Sequence, residues 1–245
     1  MTTAPETITE DAFLGGRVRA LQPGAGFRSG ADAVFLAACV AAKRGDKVLD
    51  VGCGAGVAGL CLAARISGIE LHGLEAHEPY ADLAAQNGVG TVWRGDLFAP
   101  AAALKEQSFD WVLTNPPYFT DDGPRAPDLG RAGARTAERP VADWIAACLK
   151  RLKPGGGFAM IHQISAAPEV LSALKGAGDI AMLPLQPRPG RNAKRFLLTA
   201  RKGAKGPFRL SAPLILHDGE RHERDGDGYS VAADRILRSG APLSL

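Results

Sequence analysis

The chain has 245 residues, 46% hydrophobic and 22% charged. Fibrous, collagen-like and wholly disordered chains are excluded by that composition, and the length suits one large α/β domain or two small ones with a real core. The net charge of +3 conceals an asymmetry, because residues 1–123 carry 9 basic and 15 acidic side chains whereas residues 124–245 carry 20 and 11. A basic half of this kind points to a polyanionic partner. Cys39, Cys53, Cys61 and Cys148 form no C-x-x-C pair, so they read as free thiols suited to a reducing cytosol. The start lacks a basic and an apolar region of a signal peptide, and the longest apolar stretch, 33–42, is too short to span a membrane. These features give the expectation of a soluble cytoplasmic protein with no membrane partner and no obligate protein partner.

In chain order, residues 1–12 are polar and read as a flexible, frayed terminus ahead of one domain over 13–245. That domain divides into a lead-in at 20–45, a core at 46–202 and an extension at 203–245. Asp32 is placed to cap an Ala-rich helix running to about residue 43. A strand at 47–51, a helix at 57–66, a strand at 69–74 and a helix at 79–87 follow. Strands at 91–94 and 109–114 come next. A helix at 141–153 is closed by the Pro-Gly-Gly-Gly run. A strand at 158–162, a helix at 168–175 and strands at 180–185 and 194–201 complete the core. The extension holds an extended segment within 207–217 and a helix at 231–237. Alternation of this kind predicts a mostly parallel sheet with helices on both faces, which binds ligands beyond the carboxyl ends of its strands.

The first strand runs into Asp50-Val51-Gly52-Cys53-Gly54-Ala55-Gly56. Small residues there let a ligand approach the backbone and let the next helix pack on the sheet. Gly54, Gly56 and Gly59 also satisfy the dinucleotide pattern G-x-G-x-x-G, and Glu75, 21 residues after Gly54, suits a ribose diol. NAD therefore stays open at this point. Two features favour S-adenosylmethionine. Asp50 lies close to where NAD would put a pyrophosphate. Asp96 and Leu97 follow the third strand, where an acid and the next N–H can read an adenine edge.

After the fourth strand come Asn115, Pro116, Pro117 and Tyr118. The prolines stiffen the loop and leave carbonyls free to accept. The Asn115 side-chain oxygen and the Pro116 carbonyl suit the two hydrogens of an amino group on a planar system, and Tyr118 offers a ring to stack on it. Two basic clusters follow, Arg125, Arg131, Arg135 and Arg139, then Arg188, Arg191, Lys194, Arg195, Arg201, Lys202, Lys205 and Arg209, the second without an acid among them. Both are expected to flank the mouth of the site and to hold RNA phosphates. His72, His77, His162, His217 and His222 show no metal spacing and are assigned no chemistry.

In order and spacing, residues 50–56, Glu75, Asp96 and 115–118 resemble the class I S-adenosylmethionine-dependent methyltransferases. The resemblance spans about residues 20–202. It implies an α/β, Rossmann-like fold with a mostly parallel seven-stranded sheet, S-adenosylmethionine as cofactor, S-adenosylhomocysteine as product and no metal. Cofactor contacts are then implied for Arg28, Ser29, Asp50, Gly52, Cys53, Gly54, Gly56, Glu75, Ala76, Asp96, Leu97 and Asn115. Catalytic work is implied for Asn115, Pro116, Pro117 and Tyr118. Residues 22–36 and 187–195 further resemble the tRNA (adenine-N6)-methyltransferase group, which implies RNA contacts at Arg131, Arg135, Arg188, Arg191, Lys194 and Arg195. Adenine N6 in tRNA is the expected acceptor. A protein glutamine amide and guanine N2 of ribosomal RNA present the same planar nitrogen and stay open beside it, and an NAD(P)-dependent oxidoreductase is the more remote reading.

Overall fold

A computed structural model describes residues 7–117, 139–219 and 228–245. The chain opens with a hairpin of β1 (Ile8–Phe13) and β2 (Val18–Pro23), antiparallel, with Phe13 opposite Val18. Of the terminus expected to be frayed over residues 1–12, residues 8–12 lie in this strand, and residues 1–6 lie outside the described residues. Apolar periodicity did not disclose β1 because its more sheltered positions include polar residues, among them Asp11, which is held by hydrogen bonds.

The first helix, α1 (Ala31–Cys39), is shorter than expected and starts from Gly30, with Asp32 in its first turn. Arg65 explains the early stop: its guanidinium donates to the Ala37 and Val40 carbonyls, satisfying the helix end from outside. Strands and helices then alternate as β3 (Lys47–Val51), α2 (Val57–Arg65), β4 (Glu70–Glu75), α3 (Glu78–Gln86), β5 (Thr91–Arg94), α4 (Ala102–Lys105) and β6 (Phe109–Thr114). Beyond the acceptor loop come α5 (Val141–Arg151), β7 (Leu152–Gln163), α6 (Ala167–Ala173), β8 (Ala177–Gln186) and β9 (Arg195–Lys202). The glycines after α5 do not merely close the helix. They lie within β7, where a Cβ on Gly157 would fall 2.5 Å from the Trp111 ring.

Seven long strands lie in the order β8-β9-β7-β6-β3-β4-β5. All run parallel except β9, which is antiparallel to β7 and β8. Two two-residue strands, β10 (Arg209–Leu210) and β11 (Leu214–Ile215), add to β8 and bring the sheet to nine. Side chains alternate across it. Val48, Leu113, Ile161 and Leu197 meet α1, α2 and the final helix, α7 (Val231–Ser239), whereas Leu49, Val112, Met160 and Leu198 meet α5 and α6. Burial on both faces is why these strands read as near-continuous apolar runs. Strand order reverses between β3 and β6, which opens a crevice at the carboxyl ends of β3, β4, β5 and β6.

Candidate active site

The glycine loop leaves β3 at Val51. Its Gly52 and Cys53 N–H groups donate to the Leu74 carbonyl at 2.8 and 3.2 Å, which ties the loop to β4. Gly56 precedes α2 with φ +86°, and a Cβ there would lie 2.4 Å from Val89 Cγ2, so only glycine fits. Asp50 is 3% exposed and does not meet the crevice through an open carboxylate. Its Oδ2 accepts the Gly59 N–H at 3.0 Å. Gly59 is the third residue of α2, so Asp50 caps that helix from the neighbouring strand. Asp50, expected from the sequence as a cofactor contact, thus has this capping role within the chain. Burial pushes its carboxyl up to about 7, the Gly59 bond opposes the rise, and the Glu75 charge adds to it.

Glu75 ends β4 and binds two backbone amides. Its Oε2 accepts the Gly54 N–H at 2.9 Å and its Oε1 the His77 N–H at 2.8 Å. Burial raises its pKa, and the bonds from His77 and Gly54 pull the other way. Each oxygen keeps a lone pair for a further donor, with Ala76 lying between the two bonded segments. After β5, Asp96 Oδ1 accepts the Phe98 N–H at 2.9 Å and fixes that turn, while the Leu97 side chain is buried.

The lead-in segment is clasped over the glycine loop by residues that the sequence reading did not single out for this role. Gln22 is 1% exposed. Its side-chain amide pairs with the Ser29 backbone in both directions, at 2.8 and 3.1 Å, and donates to Asp11 at 2.8 Å. Asp11 also accepts two contacts from Arg28 Nη2, at 2.8 and 2.6 Å. The Tyr80 hydroxyl donates to the Phe27 carbonyl at 3.0 Å, and the Phe27 ring lies 3.6 Å from where a Gly54 Cβ would stand. Asn87 joins β2 to the glycine loop, exchanging bonds with the Leu21 backbone and donating to the Ala55 carbonyl. Gln22 and Asn87 sit beside glycine turns, so their sequence signal was that of ordinary loop residues.

Asn115 follows β6 directly. Its Oδ1 is buried and accepts no hydrogen bond among the described residues, beside the buried Pro116 and the half-buried Pro117. Tyr118, Arg125, Arg131, Arg135 and His222 lie outside the described residues.

The basic run does not stay together. Arg195 pairs with Gln163 at the carboxyl end of β7, whereas Arg201 pairs with Gly157, six residues nearer its amino end. Six residues of strand separate them by about 20 Å. Arg201, which covers the Trp111 ring at 4.5 Å, and Lys202, which donates to the Leu152 carbonyl at 2.7 Å, therefore belong to the end of the sheet opposite the crevice. Within the crevice-side group, Arg188 is buried and spends Nη1 on the Asp218 and Gly219 carbonyls, and Arg195 bonds Asp32 at 2.5 Å. Both of these residues, expected from the sequence to face RNA, thus make contacts within the chain. Arg191 and Lys194 are exposed.

His72 Nδ1 accepts the Trp93 indole N–H at 3.1 Å, so Nε2 carries the proton towards Glu70 at 2.8 Å. His217 stacks on Tyr229 at 4.7 Å. All four cysteines are free and buried, and burial pushes the Cys39 and Cys61 thiols up to about 12. Among the described residues, no three His, Cys, Asp or Glu side chains converge on a metal position, and no helix is long and apolar enough to cross a membrane.

Known proteins resemble this chain over most of its length. The tRNA1(Val) (adenine(37)-N6)-methyltransferase of Dickeya chrysanthemi is 28% identical over 207 residues, covering 78% of this chain and 81% of that protein. The protein of the same description from Aeromonas salmonicida is 29% identical over 223 residues, covering 88% and 89%. A crystal structure described as a predicted O-methyltransferase from Agrobacterium tumefaciens superimposes with a TM-score of 0.70 at 26% identity, covering 87% of this chain and 99% of that one. A 16S ribosomal RNA guanine-N2 methyltransferase from T. thermophilus, at 20% identity and a TM-score of 0.52 over 80% of this chain, shares the fold. The family described as the methyltransferase small domain matches residues 29–176, which also closes the choice between NAD and S-adenosylmethionine that the glycine loop left open. With the parallel sheet, the glycine loop and Glu75 in place, the chain belongs to that family and is an S-adenosylmethionine-dependent methyltransferase.

Proposed function

We propose that the enzyme methylates N6 of an adenine in tRNA, through Asn115 and the Pro116 carbonyl. The observation that carries this reading is the buried Asn115 Oδ1 with no hydrogen-bond partner among the described residues. A buried acceptor left empty costs stability, so native proteins keep few of them outside sites where a ligand supplies the donor. An exocyclic amino group is such a donor. The names carried by the similar tRNA-modifying proteins support adenine as its source. Likeness to the guanine-N2 enzyme is one of fold and does not favour that acceptor.

The donor set suits the cofactor. Glu75 retains lone pairs for two ribose hydroxyls, Asp96 offers an acceptor for an adenine amino group, and the loop from Gly52 to Gly56 brings backbone close to the methionine end, with Arg28 and Ser29 at its border. When bound, S-adenosylmethionine supplies an electrophilic methyl on a sulfonium. Asn115 and the Pro116 carbonyl hold the two amino hydrogens, which turns the nitrogen lone pair towards the crevice. Orientation of this kind lowers barriers by several kcal/mol, up to about 7–11 in favourable systems. The amino proton becomes acidic only as nitrogen gains its new bond, so no strong base is required. Arg191 and Lys194, with Arg131 and Arg135, serve as the phosphate contacts in this reading.

The test is methyl transfer to a valine tRNA transcript, read as N6-methyladenosine by nucleoside mass spectrometry. Asn115→Ala should abolish the product while S-adenosylhomocysteine still binds. Absence of N6-methyladenosine with the native enzyme, or unchanged turnover in the variant, would overturn the proposal.

A further inference from the structure

Trp144 on α5 touches three of the loops that build the site. Its indole N–H donates to Thr114 Oγ1 at 2.9 Å, and the Thr114 hydroxyl passes on a bond to the Val51 carbonyl at 2.8 Å. Its six-membered ring lies against Gly52, where a Cβ would stand 3.3 Å from Cζ2. It also meets the Phe98 ring edge to face, with centroids 6.0 Å apart and planes at 74°. Gly52 opens the glycine loop, Phe98 closes the turn made by Asp96, and Thr114 immediately precedes Asn115. Trp144 is 4% exposed and Thr114 is fully buried, so water does not compete for these bonds.

Filling the core would require none of this polar chain, and a buried indole N–H takes a partner wherever it is offered one. Here the partner is the residue next to the proposed acceptor-holding amide. We infer that Trp144 and Thr114 form a strut that sets Asn115 against the glycine loop, which makes Trp144 a positioning residue for methyl transfer. The inference rests on the reading of Asn115 given above. One rigid side chain then fixes the distance between the place where the methyl is held and the place where the amino group is held.

The experiment compares Thr114→Val, Thr114→Ser, Trp144→Phe and the double variant Trp144→Phe with Thr114→Val, using a valine tRNA transcript. Thr114→Val should lower kcat by roughly ten- to hundredfold, as expected when a reacting group moves by about 1 Å. The dissociation constant of S-adenosylhomocysteine should change by less than about threefold, as expected for an interaction acting on the transfer step. Thr114→Ser, which keeps the hydroxyl, should recover most of the lost turnover. The double variant separates positioning from stability, because removing both polar partners leaves no buried indole N–H unsatisfied. A recovered melting temperature with kcat still low supports the strut. Recovery of both would show a structural role alone and overturn it. Asn115→Ala inactive beside wild-type turnover in Thr114→Val and Trp144→Phe would overturn the strut by itself. An active Asn115→Ala would overturn the acceptor reading and the strut together.

Discussion

Asp50 is a buried acid whose replacement should stabilise the protein. Asp50→Asn keeps an oxygen for the Gly59 N–H, now 3.0 Å from Oδ2, and removes a charge from a site 3% exposed. The carboxyl is raised from 3.8 to about 7, first by burial. Below the lower value it is protonated in folded and unfolded chains alike. Between the two values the folded chain holds a proton that the unfolded chain has released, so stability falls as pH rises. Above about 7 the loss is complete. At 1.36 kcal/mol per pH unit, the interval from 3.8 to about 7 amounts to about 4 kcal/mol at most. Relaxation around the charge and the new amide N–H both reduce that gain. The variant should therefore be more stable than the native chain by about 1–3 kcal/mol near pH 8.5, with the advantage shrinking towards about pH 5. Urea unfolding at both pH values measures it, and the difference between the two proteins cancels the titrations they share apart from that of Glu75, whose charge acts on Asp50 and loses that interaction in the variant. A variant less stable by the same margin at both pH values would refute the placement of this carboxylate.

Glu75→Gln offers one acceptor where Gly54 and His77 present two donors, so S-adenosylhomocysteine affinity should fall by roughly ten- to hundredfold in isothermal titration calorimetry. Replacing Arg191 and Lys194 by alanine should reduce the salt slope of tRNA binding by about 1.5–2, whereas replacing Arg201 and Lys202 should leave it unchanged. Arg188→Ala should lower the melting temperature without altering that slope, because its guanidinium serves the Asp218 and Gly219 carbonyls. Gly56→Ala should destabilise by more than about 2 kcal/mol in urea unfolding, since it combines a positive φ with a clash at 2.4 Å.

Local signals located what local physics controls. Short strand-forming runs bounded by turn residues marked β3, β5 and β6 at their observed limits, with glycine beside the first two and Asn115-Pro116 after the third. The glycine loop, Glu75, Asp96 and Asn115 announced themselves because each sits where a strand ends and the chain must turn. The lengths of α1 and β7 were misjudged because their ends depend on partners far along the chain, Arg65 for the one and Trp111 for the other.

By itself, then, the sequence determined the alternating architecture, the strand ends that carry chemistry and the cofactor class its loops resemble. Tertiary structure alone decided what each charge does. Arg188, Arg195 and Arg201 are close in sequence and alike in chemistry, yet one supports a loop, one pairs with α1 and one lies at the far end of the sheet. Asp50 likewise acquired its helix-capping role only when folding brought Gly59 within reach. Charge is a property of composition, but its use depends on the nearest donor or acceptor, and folding chooses that neighbour.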